Sequence, residues 1–191
     1  MDPLEAHLRE CFGRVAYSHK THEKCADNCQ KTLSRIKLGQ IALAALTTGG
    51  IFTAIFAGVS SATNPQVELY AKIAAAVLST VLLILNAYTK DVDPGRLSER
   101  HREAATALWN IRESYVSLLA DFRSNAITAD QARIRRDSLQ EALCEIYRAA
   151  PRTTSQAYAA AQDGLQRNQE LTFSDEEIDK LLPGALRKAT E

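Results

Sequence analysis

The segment "HKTHEKCADNC", residues 19–29, gathers the side chains that most readily do chemistry. His19 and His22 stand three apart, so a helix makes them neighbours on one face, with Glu23, Cys25, Asp27 and Cys29 close behind. Imidazole nitrogens and thiolates suit zinc. The spacing matches no established zinc arrangement, however, and a continuous helix spreads these groups around its surface. The expectation is a solvated or interhelical polar patch that holds no metal and no cofactor. Cys11, Cys25, Cys29 and Cys144 make no disulfide framework and read as reduced thiols in cytosolic segments.

No catalytic grouping is assembled elsewhere in the sequence. It contains no glycine-rich phosphate loop, no G-x-S-x-G elbow and no H-E-x-x-H helix. "RIRR", residues 133–136, offers charge for an anion, but a charge run on a helix is more often a solvated face. Lys+Arg and Asp+Glu both total 23, so no global bias points toward nucleic acid, and direct nucleic-acid binding is not expected. The chain is read as non-enzymatic.

A more specific pattern lies in the uncharged stretch "GQIALAALTTGGIFTAIFAGVSSA", residues 39–62. Gly49, Thr53, Ala57 and Ser61 form one row at intervals of four; Gly50, Ala54, Gly58 and Ala62 form the next. Ala71, Ala75 and Ser79 repeat the spacing in a second uncharged run. Rows of small residues let helix backbones approach closely, the main source of helix association in lipid. They serve either packing between two spans of one chain or assembly between chains. In an assembly, Thr47, Thr48 and Thr53 would line a central passage. Asn86 is a candidate for a hydrogen bond between helices.

The elements that carry these residues are helical throughout. Glycine and proline are scarce, at 8 and 5, and no β-branched alternation occurs. Charges are absent from residues 38–67 and again from 73–89. A bilayer core of about 30 Å takes around 20 helical residues, so both runs are long enough to span, the second marginally. Lys20, Lys24, Lys31, Arg35 and Lys37 precede the first run, and Lys90, Arg96, Arg100 and Arg102 follow the second; Lys72 alone lies between. That asymmetry places both termini in the cytoplasm. A soluble protein with a buried helical pair is the competing reading.

The chain divides accordingly into an N-terminal cytoplasmic helix (1–37), a first transmembrane helix (38–61), a short external loop (62–70), a second transmembrane helix (71–89) and a cytoplasmic helical bundle (90–191). The fold class is an all-α membrane protein: a two-helix transmembrane hairpin with a cytoplasmic bundle containing one long heptad-patterned helix. That helix opens at Asp93 as N-cap with Pro94 in its first turn. Leu97, His101, Ala104, Leu108, Ile111, Tyr115, Leu118 and Phe122 then recur at alternating spacings of four and three, a seam for a neighbouring helix. Three further helices are expected at capping boxes pairing Thr128 with Gln131, Thr153 with Gln156 and Ser174 with Glu177. Pro151 and Pro183 end the helices before them.

The ordered segments "RVAYSHKTHEKCAD", "ALTTGG", "RHREAATALWNIRESYVSLLADF", "IYRAAPRTTSQAYAAAQ" and "LTFSDEEIDKLLP" resemble the SLATT family of bacterial two-helix transmembrane effectors. The similarity covers nearly the whole chain. It implies an inner-membrane effector of antiphage defence and abortive infection, working with a nucleotide-synthesising, nucleotide-sensing or reverse-transcriptase partner. Such an effector would form a homo-oligomer in the lipid bilayer and permeabilise it as a pore. A non-conducting scaffold, whose cytoplasmic helices recruit a partner while the spans only anchor it, is the alternative.

Overall fold

A computed structural model describes the backbone of residues 2–59 and 65–188, and the side chains of residues 2–50, 66 and 69–188. Of the external loop expected at residues 62–70, residues 62–64 lie outside the described residues, as do the side chains of Thr53, Ala54, Ala57 and Gly58, whereas residues 65–70 are helical, the start of α2. Six helices carry the described chain, with no strand among the described residues: α1 (Pro3–Val59), α2 (Pro65–Val92), α3 (Pro94–Arg123), α4 (Ala129–Ala149), α5 (Ser155–Gln166) and α6 (Asp175–Leu181). A single 3-10 turn follows at Gly184–Leu186.

Local chemistry starts and stops these helices. The Asp2 carboxylate accepts from Leu4 N at 2.7 Å, and Pro3 occupies the first helical position, where no N–H is needed. With no proline until Pro65, α1 runs for 57 residues, about 85 Å at 1.5 Å per residue. Asp93 is the single residue between α2 and α3. Its N–H bonds Thr89 O at 3.0 Å, its carbonyl accepts from Leu97 N at 3.1 Å, and its carboxylate accepts from Arg96 N at 3.0 Å. It therefore closes one helix and caps the next, at φ 37, which a short polar side chain tolerates.

The capping boxes at Thr128/Gln131 and Ser174/Glu177 form as expected. The third does not. Pro151 follows an extended Ala150, and the chain stays extended through Thr154, which becomes the cap one residue later than expected. Thr154 accepts from Ala157 N at 3.2 Å, and alanine has no side chain to reciprocate, so the box is lost.

Two compact units result: Met1–Cys25 with His101–Glu191, and Ala26–Arg100. In the first, Leu4, Leu8, Cys11 and Val15 of α1 meet Leu108, Ile111, Tyr115 and Leu118 of α3, with Ala132 and Leu143 of α4 closing the core. The heptad seam is the buried face of α3, because apolar positions four and three apart lie on one stripe. The Tyr115 ring is fully buried, and its hydroxyl accepts from Gln140 Nε2 at 2.6 Å. Ala157, Ala161 and Gly164 form the buried face of α5, where small residues permit close approach.

In the second unit α1 and α2 touch through Gln40, whose Nε2 donates to Asn86 Oδ1 at 2.8 Å and Thr89 Oγ1 at 3.3 Å. From Leu33 onward, Leu33, Ile36, Gln40, Leu43, Thr47 and Gly50 mark a less exposed stripe of α1, widened by Gly39 and Ala44, and Ala71, Ala75, Leu78, Leu82, Leu85 and Thr89 mark that of α2. Both sets step by three and four. The opposite faces are bare: Leu38, Ile41 and Leu46 of α1, and nine large apolar side chains from Leu69 to Val92, are exposed.

Candidate functional site

The histidines of the opening motif come together in the bundle unit, as a layer between α1 and α3. His19, His22 and His101 are 4%, 3% and 2% exposed. Their positions continue the seam, so the spacing that buries leucines nearer the N-terminus buries imidazoles here. His19 Nδ1 lies 2.9 Å from Ala105 O and therefore donates to it. Its Nε2 is buried with no hydrogen-bond partner, Glu23 Oε1 standing 3.7 Å away. The ring tilts against Trp109, centroids 5.3 Å apart.

His22 Nδ1 faces His101 Nδ1 at 2.9 Å. One of the two must donate and the other accept, so the pair is complementary only while at least one ring is neutral. Burial, then the neighbouring His101 and His19, push the His22 pKa down to about 4. At neutral pH His22 is therefore an uncharged polar group inside the bundle.

A second cluster brackets it. Glu170 reaches Lys20 Nζ at 2.6 Å and Lys24 Nζ at 3.0 Å, and Lys20 also binds Glu23 at 2.7 Å. The bonds to Lys20 and then Lys24 hold the Glu170 carboxyl below its ordinary range. Burial works against the charge on Lys20, but its bonds to Glu170 and Glu23 outweigh it and raise its pKa. Glu170 sits in a loop between Gln169 and Leu171, whose φ values of 52 and 69 place both in the left-handed region. For a leucine that conformation costs about 1–2 kcal/mol, so other contacts hold this loop. Beyond the layer, the Arg112 guanidinium lies 4.7 Å from the Trp109 ring centroid and 5.6 Å from that of Phe12.

His19, His22 and Cys25 are thus interhelical and buried rather than solvated, while Cys29 is half-buried. Among the described residues no group of three or more His, Cys, Asp or Glu side chains is placed to hold a metal ion. The "RIRR" arginines are compensated: Arg133 pairs with Asp130, Arg135 with Asp121 and Arg136 with Asp137, each at 2.7 Å. His101 entered the sequence reading only as a seam position. No local signal named its partner, because the register between α1 and α3 is set by how their cores close. No local signal marked Glu170.

The packing residues are placed as follows. Thr47 is buried, Gly50 and Ala75 are half-buried, and Thr48, Gly49, Ser79 and Asn86 are exposed. Thr47 and Thr48 donate to the carbonyls of Leu43 and Ala44, both at 2.8 Å, so these hydroxyls are satisfied within their own helix.

Among the described residues one helix, running on from Leu69, is long and apolar enough to cross a membrane, and none of its apolar window is buried. The class so defined is an all-helical protein with one long apolar helix and a packed helical bundle. The chain belongs to the family described as SMODS and SLOG-associating 2TM effector domain family 4 (SLATT_4), whose model matches residues 4–177. The family description makes it a membrane-associated effector domain. No curated protein and no solved structure matches it.

Proposed function

We propose that the chain is a non-catalytic membrane effector of bacterial antiphage defence. It spans the inner membrane twice with both termini in the cytoplasm, assembles through α1 and α2, and permeabilises the bilayer when a separately encoded partner or a nucleotide signal triggers it. The observation that carries this reading is the bare apolar surface. Twelve large apolar side chains between Leu38 and Val92 are about half to two-thirds exposed. At about 1–2 kcal/mol each, leaving them in water costs of order 10–20 kcal/mol, as much as the 5–15 kcal/mol that holds a whole domain folded. Lipid removes that cost. The family description, which names association with SMODS and SLOG, supports a nucleotide-synthesising, nucleotide-sensing or related partner.

Gly49 and Gly50 favour assembly between copies. A Cβ added at either meets nothing within 4 Å among the described residues. An alanine there therefore clashes with no described part of the chain, so its effect points to contacts with a neighbour. Induced expression should depolarise cells loaded with a potential-sensitive dye. Gly50→Leu combined with Gly58→Leu should weaken that depolarisation, and undiminished toxicity of stably expressed variants overturns the assembly reading. The back-bonded hydroxyls of Thr47 and Thr48, which need no water, favour a second reading as a non-conducting scaffold. Replacing both spans with unrelated ones separates the two: function that survives belongs to a scaffold.

A further inference from the structure

A cavity of about 900 Å³ opens in the bundle unit between the N-terminal third of α1 and the connection from α4 to α5. Ligand pockets are typically about 300–1,000 Å³, so the volume is that of a small-molecule site. Its wall is aromatic. Tyr17, Tyr147 and Tyr158 line it, and Tyr147 and Tyr158 keep 43% and 51% of their surface exposed although the core lies close by. Tyr17 and Tyr158 are stacked, with centroids 5.8 Å apart and planes at 27°. The Tyr17 hydroxyl accepts from Gln166 Nε2 at 2.7 Å, and the Tyr147 hydroxyl shares a 2.7 Å bond with Ser18. The rings are therefore held in place before any ligand arrives, which lowers the cost of binding.

The charge is on the same rim. Arg14 and Arg152 line the cavity, and Glu10 is the one carboxylate among the lining residues. Glu10 is taken up by an ion pair with Arg14. Arg152 has no acidic partner among the described residues, and neutral His22 adds no charge to the lining. Fixed aromatic faces beside an uncompensated guanidinium select a ligand with both a flat ring and an acid group. A free anion would leave the tyrosines unused, and a neutral apolar molecule would leave Arg152 unpaired.

We infer that this cavity binds a small aromatic anion of the chemical class of a nucleoside phosphate, its ring against the tyrosines and its acid group on Arg152. His22 lines the same cavity and bonds His101 of α3, so an occupant touches the buried histidine layer. The site is inferred from the bundle alone; only its use as the trigger rests on the effector reading.

The test is calorimetric titration of the full chain, purified in detergent, with AMP, adenosine and inorganic phosphate in separate arms. AMP should bind saturably at one site per chain, and adenosine or phosphate alone about tenfold or more weaker, because each makes half of the contacts. Arg152→Glu should weaken AMP about tenfold or more and leave adenosine within about twofold, since it removes only the charge-assisted contact. Tyr158→Ala should weaken both. Both residues are exposed, and an unchanged melting temperature checks the fold; Tyr147→Ala repeats the test on a second wall residue. No saturable AMP binding, AMP binding unaltered in all three variants, or phosphate binding as tightly as AMP overturns the inference. Binding is read without a membrane, so binding without depolarisation leaves the site standing and the effector reading fallen, and depolarisation without binding does the reverse.

Discussion

His22 and His101 stand Nδ1 to Nδ1 at 2.9 Å, 79 residues apart in sequence, both buried between α1 and α3. The pair ties α1 to α3 with a hydrogen bond that survives only while one ring is uncharged. A second proton places like charges in contact with little solvent to screen them.

The first prediction is therefore a loss of stability in mild acid. The His22 pKa is about 4 when folded, against 6.5 when unfolded. Its contribution is fully present above pH 6.5 and is lost as the pH falls from there toward 4, because the unfolded chain takes up the proton first. The whole loss is of order 3 kcal/mol. His22→Gln should flatten the decline in melting temperature between pH 7 and 5; an unchanged slope would falsify the assignment.

Gly164 and Glu170 make the second case. A Cβ at 164 would meet the Glu170 carboxylate at 2.9 Å, so an alanine there displaces the group that binds Lys20 and Lys24. Alanine also favours a helix by about 1 kcal/mol over glycine, which opposes the loss. Gly164→Ala should thus gain about 0.5–1 kcal/mol in a Glu170→Ala background and gain nothing with Glu170 present. Additive effects in a denaturant-unfolding cycle would show that the clasp contributes nothing.

The start of α5 separates two neighbouring threonines. Thr154→Ala should cost about 1 kcal/mol, the usual value of an N-cap hydroxyl. Thr153→Ala, exposed and uncapped, should change stability by less than about 0.5 kcal/mol. Equal effects on the unfolding midpoint would return the cap to the earlier residue.

Between α1 and α2, Asn86→Leu removes the acceptor for Gln40 and leaves that amide with only the 3.3 Å bond to Thr89. On the proposed membrane placement the loss should match that of interhelical hydrogen bonds in lipid, about 0.6 kcal/mol on average with a ceiling near 1.7 kcal/mol. Unfolding in mixed micelles of rising SDS fraction measures it, and a stabilised variant would contradict it.

Leu108, Ile111, Tyr115 and Leu118 were legible as a buried face, because burial on a helix follows from spacing along one chain. The caps at Thr128 and Ser174 were legible for the same reason: donor and acceptor lie within three residues. The cap at Thr154 was missed by one position, since Pro151 kept the chain extended beyond the first available hydroxyl. The tyrosine-lined cavity left no pattern at all. Tyr17, Tyr147 and Tyr158 come from three helices, and each taken alone is an ordinary amphipathic surface residue.

The helices, their apolar faces and the two uncharged runs are thus written in short-range periodicity, and the family in ordered segments. Only the tertiary structure decided which polar groups meet: His22 with His101, Lys24 with Glu170 across 146 residues, and Arg152 beside the stacked rings of Tyr17 and Tyr158. The physical reason is register. A helix fixes which of its residues share a face, but the partner opposite each one depends on how far neighbouring helices slide and rotate as their cores close, and that is set by the packing of the whole bundle.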